Sequence, residues 1–274
     1  MKNRPSVVLL CHDDDPIDRA GLAAWLAWSM DLAGIVTICE TPGRRWKTLR
    51  RERKRSGWMG LLDVLALRVV YALTRRGHDR AWCRSEANRL RVLYPAALDA
   101  VPRLATDNPN SPEARAFLED RAPDLLIARC KFLLTRDVFS IPRAGTFVLH
   151  PGICPEYRNA HGCFWALANR DLTRVGMTLL RVDAGVDTGP VFLRATYNFN
   201  EAAESHTVIQ YRVVTENLDA ITRTLLGVCS GDAQPLPSQG RTSAVWGQPR
   251  LSVYCRWRLA ARRNRHAHHL TALP

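Results

Sequence analysis

The sequence predicts an α/β protein with a central, mostly parallel sheet flanked by helices. Two short apolar runs that are rich in β-branched residues, 7–11 and 34–39, have the pattern of buried strands. Between them, residues 16–32 have a helical pattern, with Asp15 placed to cap its start, Pro16 in its first turn and Gly34 expected to end it. A strand, a helix and a second strand in succession indicate the start of a Rossmann-like parallel sheet.

The alternation of strands and helices is interrupted and then resumes along the chain. A run dominated by Lys and Arg (44–55) and an apolar helix (57–73) follow the second strand. Periodicity and turn residues then predict helices at 112–121, 135–139, 161–169 and 205–229 and strands at 124–128, 145–149, 175–182 and 191–197. We therefore predict a main domain at 1–230 with a basic helical insertion at about 43–91. A basic, largely irregular C-terminal extension is predicted at 231–274, without fixed structure from residue 262 onward.

The positive charge of the chain is concentrated in two segments. The 274 residues have a formal net charge of +13, and 46% of them are hydrophobic, which is enough for a folded core and excludes general disorder. Residues 44–91 carry fifteen Lys and Arg against four Asp and Glu, and residues 250–274 carry six basic side chains and no acidic one. The remainder is slightly acidic, so the charge indicates where the protein docks or receives an anionic substrate rather than its chemistry.

Cysteine usage and apolar segments predict the location of the protein. The eight cysteines form no C-x-x-C pair and accompany no paired His spacing, so we expect neither a disulfide scaffold nor a metal site, and a reducing cytoplasm. The first residues lack the long apolar region of a signal peptide. The apolar stretch 58–74 is interrupted by Asp63 and Arg68 and falls short of the ~20 residues that span a bilayer, so a soluble protein is expected.

Two loops contain the chemically informative residues. The segment HPGICPEYRNAH (150–161) follows a predicted strand, and VDAGVDTGPV (182–191) follows the strand VGMTLL (175–180). This ordered set resembles the N10-formyltetrahydrofolate-dependent formyltransferase family, which includes glycinamide ribonucleotide, methionyl-tRNA and nucleotide-sugar formyltransferases. The resemblance covers about 123–226. It implies a Rossmann-like formyltransferase fold, with 1–230 as the catalytic domain.

The resemblance implies that His150 and Asp187 are the catalytic pair and that N10-formyltetrahydrofolate is the co-substrate. In formyl transfer a neutral amine attacks the formyl carbon, a proton leaves the nitrogen, and charge on oxygen is stabilised. An imidazole can shuttle protons or donate a hydrogen bond to an oxyanion, and a neighbouring carboxylate orients it and favours its charged form. A His beside an Asp can therefore supply much of this chemistry.

The sequence departs from the family two residues before the histidine. Val148 stands where the family has a catalytic Asn, and Val cannot donate a hydrogen bond to the formyl oxygen. Removing one oxyanion donor typically costs ~10²–10³ in rate. Three interpretations stay open: Asn159 or His161 is a substitute oxyanion donor; the protein is a hydrolase or another acyl-transfer enzyme on the same fold; or it is a catalytically weak binding protein that docks through its basic segment.

The cofactor-binding residues are also implied by the resemblance. In the family, the pterin is held by backbone groups and apolar side chains of the segments before the histidine strand and around the aspartate loop. The matching positions here predict Phe132, Leu133, Leu134 and Val186 as cofactor-binding residues.

The expected partner is a small-molecule or carrier-linked amine, such as that of an amino sugar. Methionyl-tRNA formyltransferases carry a long C-terminal β domain for which 231–274 is too short, so a nucleic-acid partner is not expected. The basic run and the apolar helix together (44–74) have the composition of an interfacial helix, which indicates an anionic membrane surface as a second partner. The alternative is an exposed basic edge beside a helix that packs on the domain. The expected location is cytoplasmic or membrane-peripheral.

Overall fold

The chain folds around a central sheet whose two faces are both buried. The computed structural model describes residues 4–270, with the side chains at 42, 44–48 and 264–270 outside that description. Its strands are β1 (Ser6–His12), β2 (Asp31–Ile38), β3 (Arg103–Thr106), β4 (Leu125–Arg129), β5 (Gly145–His150), β6 (Arg158–Asn159), β7 (Gly176–Arg181), β8 (Val191–Thr196) and β9 (Val245–Trp246). Its helices are α1 (Ala23–Ser29), α2 (Pro42–Thr74), α3 (Arg76–Leu93), α4 (Pro112–Arg121), α5 (Arg136–Phe139), α6 (Gly162–Ala168), α7 (His206–Thr215), α8 (Leu218–Ser230) and α9 (Leu251–Leu270).

The main sheet has the order β3-β2-β1-β4-β5-β7-β8, and its first five strands are parallel. Strand β7 runs antiparallel to β5, and β8 runs antiparallel to β7. Alternate side chains of β1 enter two different cores: Val7 and Leu9 lie in one apolar cluster, and Val8 and Leu10 in the other. Burial on both faces explains the continuous apolar run of this strand, and the predicted, mostly parallel α/β sheet is confirmed.

The first helical segment is shorter than predicted. Asp15 caps it as expected, because its Oδ1 accepts from the backbone N–H groups of Ile17 and Asp18 at 3.0 and 3.2 Å. A π-helical turn comes first, and α1 ends at Ser29 rather than at residue 32. Gly34 lies inside β2 instead of ending the helix; a Cβ there would lie 2.9 Å from the Phe117 ring, so the glycine serves a close approach.

The predicted helix at 205–229 is two helices, α7 and α8. The side-chain amide of Asn217 donates to the carbonyl oxygens of Thr196 and Val213, which fixes the break between them. Helix α3 lies almost entirely within the basic helical insertion predicted at about 43–91, whereas strand β3 is an additional element that the sequence did not predict.

The C-terminal extension was predicted to be irregular, and this is wrong for its second half. Residues 231–250 have little regular structure apart from β9, whereas Leu251–Leu270 form α9. Trp257 and Ala261, one helical turn apart, are both buried, and the Trp257 ring makes an edge contact with Phe164 of α6. This apolar pair gives α9 the face that packs on the protein. The many Arg and His residues around it make that face hard to recognise in the sequence.

The basic run and the apolar helix that follows it form the single helix α2, interrupted at Gly57, where φ is +70°. The side chains of Arg44, Arg45 and Lys47 lie outside the described residues. The apolar segment was predicted to be too short to span a bilayer, and this is corrected. The helix extends in the N-terminal direction, so Leu49–Thr74 is long and apolar enough to cross a membrane by length and composition alone.

Candidate active site

His150 is the last residue of β5, at the carboxyl end of the parallel strands. Its ring is almost wholly buried, and its Nε2 lies 2.7 Å from the carbonyl oxygen of Tyr157. The chain can turn this tightly only because residue 152 is Gly: a Cβ there would lie 2.7 Å from the same Nε2. A carbonyl oxygen can only accept, so Nε2 donates in this contact, and the Tyr157 carbonyl fixes the orientation of the ring.

Asp187 lies beside the other nitrogen of this ring. Its Oδ2 is 3.6 Å from His150 Nδ1, and the same oxygen accepts a hydrogen bond of 2.7 Å from the backbone N–H of Asn159. Asp187 has φ of +51°, in the left-handed region, which turns its side chain back from the loop. The two predicted catalytic residues are thus brought together from β5 and from the β7–β8 loop.

The β7–β8 loop is held by a second aspartate. Oδ1 of Asp183 accepts from the Gly185 backbone N–H at 2.9 Å and from the Thr188 hydroxyl at 2.6 Å. These two hydrogen bonds close the loop on itself, so Asp187 is presented by a folded turn rather than by a free segment.

Val148 shares a face of β5 with His150, because side chains two residues apart on a strand lie on the same side. Its side chain packs against Cys154, Leu180 and Val191. The position two residues before the histidine is therefore directed to the face that carries His150, and it is apolar.

The two suggested substitute donors are placed differently. Asn159, with φ of +72°, uses its side-chain amide to donate to the carbonyl oxygen of Trp246 at 2.5 Å, so this donor holds the chain together. His161 precedes α6 and is partly buried. Burial and the nearby charge of Lys131 lower the pKa of its ring to about 4, so it is neutral at physiological pH. Their roles as oxyanion donors stay predictions.

The C-terminal strap, residues 241–248, crosses the loop that follows His150. Strand β9 of the strap pairs with β6, and Trp246 stacks on the rings of Tyr157 and Trp165, with centroids 5.7 and 4.8 Å apart. The Trp246 indole N–H donates to the Glu156 carbonyl oxygen, and Arg241 binds the Glu156 carboxylate with two hydrogen bonds of 2.9 Å. Sequence reasoning missed this support; its only signal was a Trp within a segment rich in Pro and Gly.

A buried ion pair supports the strand end from the other side. Arg129, at the end of β4, contacts Asp18 at 3.0 Å and donates to the Leu149 carbonyl oxygen at 2.5 Å. Burial raises the pKa of the Asp18 carboxyl, and the Arg129 charge opposes this shift. The Arg129 guanidinium thus holds β4, β5 and the first helical turn together.

Three of the predicted cofactor-binding residues, Phe132, Leu133 and Leu134, follow β4, and the fourth, Val186, directly precedes Asp187. Leu133 is 58% exposed and Val186 is 41% exposed, so both present apolar surface, and Phe132 is partly buried. Leu134 is 5% exposed and lies in the apolar cluster on the α4 side of the sheet, so it supports the loop from inside, and the cofactor-binding role of these four residues stays a prediction.

Comparisons with known proteins identify the family of the chain. The family model described as formyl transferase matches residues 83–225, just over half of the chain. A methionyl-tRNA formyltransferase from Aromatoleum aromaticum is 31% identical over 147 residues, which cover 52% of this chain and 46% of that protein. The chain thus spans about half the length of the curated relatives it matches.

Solved structures share the fold. A phosphoribosylglycinamide formyltransferase from Anaplasma phagocytophilum matches with a TM-score of 0.54 at 11% identity, covering 90% of this chain and 100% of that one. A sugar N-formyltransferase from a Shewanella species matches with a TM-score of 0.52 at 13% identity, covering 88% and 76% of the two chains.

Proposed function

Because the chain belongs to the formyl transferase family, we propose that it transfers a formyl group from N10-formyltetrahydrofolate to an amine. The observation that carries this proposal is the contact between His150 and Asp187, whose carboxylate is fixed by the Asn159 backbone N–H. Both residues lie within the segment that the family model matches.

His150 is the proton carrier in this proposal. With Nε2–H donated to the Tyr157 carbonyl, Nδ1 is the basic atom of the neutral ring, and no hydrogen bond closes it, because 3.6 Å to Asp187 exceeds hydrogen-bond length. Nδ1 can therefore accept the proton that the amine loses as it becomes acylated.

Asp187 stabilises the imidazolium that results. Its Oδ2 lies 3.6 Å from the nitrogen that takes up the proton, and the low exposure of both side chains, 5% for His150 and 13% for Asp187, largely excludes water from the pair. The proton can then pass from Nδ1 to the leaving nitrogen of the donor, so the pair ends the cycle in its starting state.

The residues beside this pair fit a folate donor. Leu133 and Val186 present exposed apolar side chains at the loops before and after the histidine strand, and a flat heteroaromatic ring binds to such apolar surface with a few polar backbone contacts. When bound, the donor supplies an activated one-carbon acyl group. The residues of this chain orient it, exclude water and move the proton.

We propose that the acceptor is a small or carrier-linked amine of the amino-sugar class. The support is the shared fold with a sugar N-formyltransferase over most of both chains. A cytoplasmic location is part of the proposal, and the free state of the eight cysteines in the described part of the chain supports a reducing compartment.

A hydrolase on the same fold is the second candidate, and Val148 is the observation that favours it. An apolar side chain beside His150 leaves the formyl oxygen without the amide donor that the family provides there. Such an enzyme would release formate in the absence of any amine.

The test measures donor binding and transfer in the same preparations. We expect saturable binding of N10-formyltetrahydrofolate and formylation of at least one amine in a panel that includes nucleotide-linked amino sugars. His150→Ala should lower the rate by about 10²–10⁴-fold, because it removes the proton carrier. His78→Ala, which changes a histidine whose side chain is 75% exposed, is the matched control and should leave the rate unchanged.

The possible outcomes separate the candidates. Formate release without amine that is abolished in His150→Ala would replace the transferase with the hydrolase. Absence of donor binding at millimolar concentration would overturn both the formyltransferase and a hydrolase that acts on this donor. The remaining interpretation would be a catalytically weak binding protein.

A further inference from the structure

Helix α2 exposes a row of large apolar side chains on one side. Its members, here called the α2 face, are 58% to 82% exposed: Trp58, Met59, Leu62, Val69 and Leu73. Positions 58, 62, 69 and 73 follow one another at spacings of four and seven residues, which places them along one stripe of a helix. Exposed apolar rows of this kind mark interaction surfaces rather than ordinary solvent-facing helices.

The opposite side of α2 is attached to the protein. Leu61, Val64 and Leu67 are buried there. Asp63 accepts from the backbone N–H and the hydroxyl of Ser252 at 3.0 and 2.5 Å, and the Tyr71 hydroxyl lies 2.7 Å from that of Thr207. Crossing a bilayer would break these contacts, so a helix held in this way lies along a surface.

Acidic and basic side chains are separated along α2 and the first turns of α3. Between residues 50 and 80 the acidic side chains are turned inward: Glu52 and Asp79 are buried, and Asp63 is bound to Ser252. The basic side chains Arg50, Arg51, Arg53, Lys54, Arg76 and Arg80 are exposed. The Arg53 guanidinium also lies over the Trp58 ring, 5.1 Å from its centroid, so positive charge directly borders the apolar row.

We propose that the α2 face binds an anionic lipid membrane, with α2 lying in the interface. An apolar row that includes Trp, flanked by Arg and Lys, satisfies both halves of a lipid surface: the side chains enter the acyl boundary, and the cations meet the headgroups. A nucleic acid would use the cations and leave the apolar row exposed. A second copy of the chain would bring two positively charged faces together.

The same helix contacts the C-terminal strap. Arg55 donates to the Val245 carbonyl oxygen at 2.9 Å, and Arg68 lies 3.5 Å from the Gln248 side chain. The proposed membrane-binding helix is therefore connected to the C-terminal strap, which crosses the loop after His150. This connection would keep His150 at a fixed distance from the lipid surface.

The proposal is tested by sedimentation of the full chain with lipid vesicles. We expect binding to vesicles of phosphatidylcholine with phosphatidylglycerol, weaker binding to phosphatidylcholine alone, and a decrease as salt rises. The double variant Leu62→Gln/Leu73→Gln should lose at least about tenfold in affinity, because both apolar contacts are removed. The double variant Arg53→Gln/Lys54→Gln should bind the anionic vesicles more weakly. The binding that remains should depend less on salt.

The matched control is Val92→Gln, an equally exposed apolar side chain near the far end of α3, which should bind as the parent does. Circular dichroism and thermal unfolding confirm that each variant is folded. Absence of binding at low salt, or equal loss in Val92→Gln, would overturn the proposal. A dimer measured by light scattering without lipid and dissociated by Leu62→Gln/Leu73→Gln would assign the face to self-association instead, and tight RNA binding that depends only on Arg53 and Lys54 would assign it to nucleic acid.

Discussion

The site at the carboxyl end of β5 and helix α2 place ionisable and apolar side chains in opposite ways. At the site, two ionisable side chains are shielded: His150 and Asp187 are only 5% and 13% exposed and are fixed by backbone groups. On α2, large apolar side chains such as Trp58 and Leu73 are exposed, and the acidic Glu52 is turned inward.

This contrast indicates that the chemistry and the proposed docking use different parts of the chain. Buried charge has strong, local interactions and suits proton transfer, whereas exposed apolar surface gains free energy only when something covers it. The net positive charge of the protein lies in residues 44–91, which include most of α2, and in residues 250–274.

Outside the His150–Asp187 pair, the largest expected effect concerns Val148, the apolar neighbour of His150. Val148→Asn should raise the rate of formyl transfer by roughly 10²-fold, near the lower end of what one oxyanion donor contributes, because position 148 shares the face of β5 with His150. Transfer to a fixed amine, measured at saturating donor, checks this. Val148→Ala removes the same methyl groups without adding a donor and should give no gain. Equal rates in Val148→Asn and the parent would indicate that another group already binds the formyl oxygen.

The fold was largely readable from local patterns. The strands of the sheet were predicted because they are buried on both faces and so form continuous apolar runs, as in residues 7–11. Strand β3 was missed because its side chains are exposed or only partly buried, and α9 because its packing depends on Trp257 and Ala261 among basic residues. Such elements are defined by what they pack against, which a local pattern does not contain.

The site was readable only through its motif. His150 and Asp187 come from segments far apart in sequence, and their resemblance to a known family, rather than any spacing rule, pairs them. The supporting contacts could not be predicted: Arg129 at Asp18 and Trp246 on Tyr157 join distant parts of the chain, and each side chain alone has an ordinary surface or core interpretation.

A smaller effect is expected where the C-terminal strap joins the two regions. Trp246→Ala should lower the free energy of unfolding by about 2–3 kcal/mol, because it removes two ring stacks and the hydrogen bond to the Glu156 carbonyl from a partly buried side chain. Urea denaturation measures the loss. The formyl-transfer rate should also fall, since Asn159, which positions Asp187, loses the ordered Trp246 carbonyl as its partner.

Trp28→Ala is the control for Trp246→Ala. Trp28 is half exposed on α1, away from the strap, so both stability and rate should change little. A rate equal to that of the parent in Trp246→Ala, despite reduced stability, would show that the strap only supports the fold.

The smallest expected effect concerns His206 of α7, where helix α2 packs on the core. His206 is buried among the rings of Tyr71, Phe164, Tyr254 and Trp257. Burial lowers the pKa of its ring to about 3, with smaller contributions from the nearby His161 and Arg258. The unfolded chain, with an ordinary histidine pKa of about 6.5, therefore binds a proton that the folded chain does not, and stability falls as the pH decreases from about 6.5 towards 3.

His206→Phe should remove about 1–2 kcal/mol of the stability lost between pH 7 and pH 5, because a phenyl ring keeps the aromatic contacts and does not titrate. Urea unfolding of parent and variant at both pH values gives the difference. Some dependence on pH should remain, since the pKa of His161 is also lowered, to about 4, and acts in the same direction. His78→Phe, at an exposed position, should retain the full slope of the parent. An unchanged slope in His206→Phe would show that His206 binds its proton equally in the folded and the unfolded chain, and so does not cause the loss of stability at low pH.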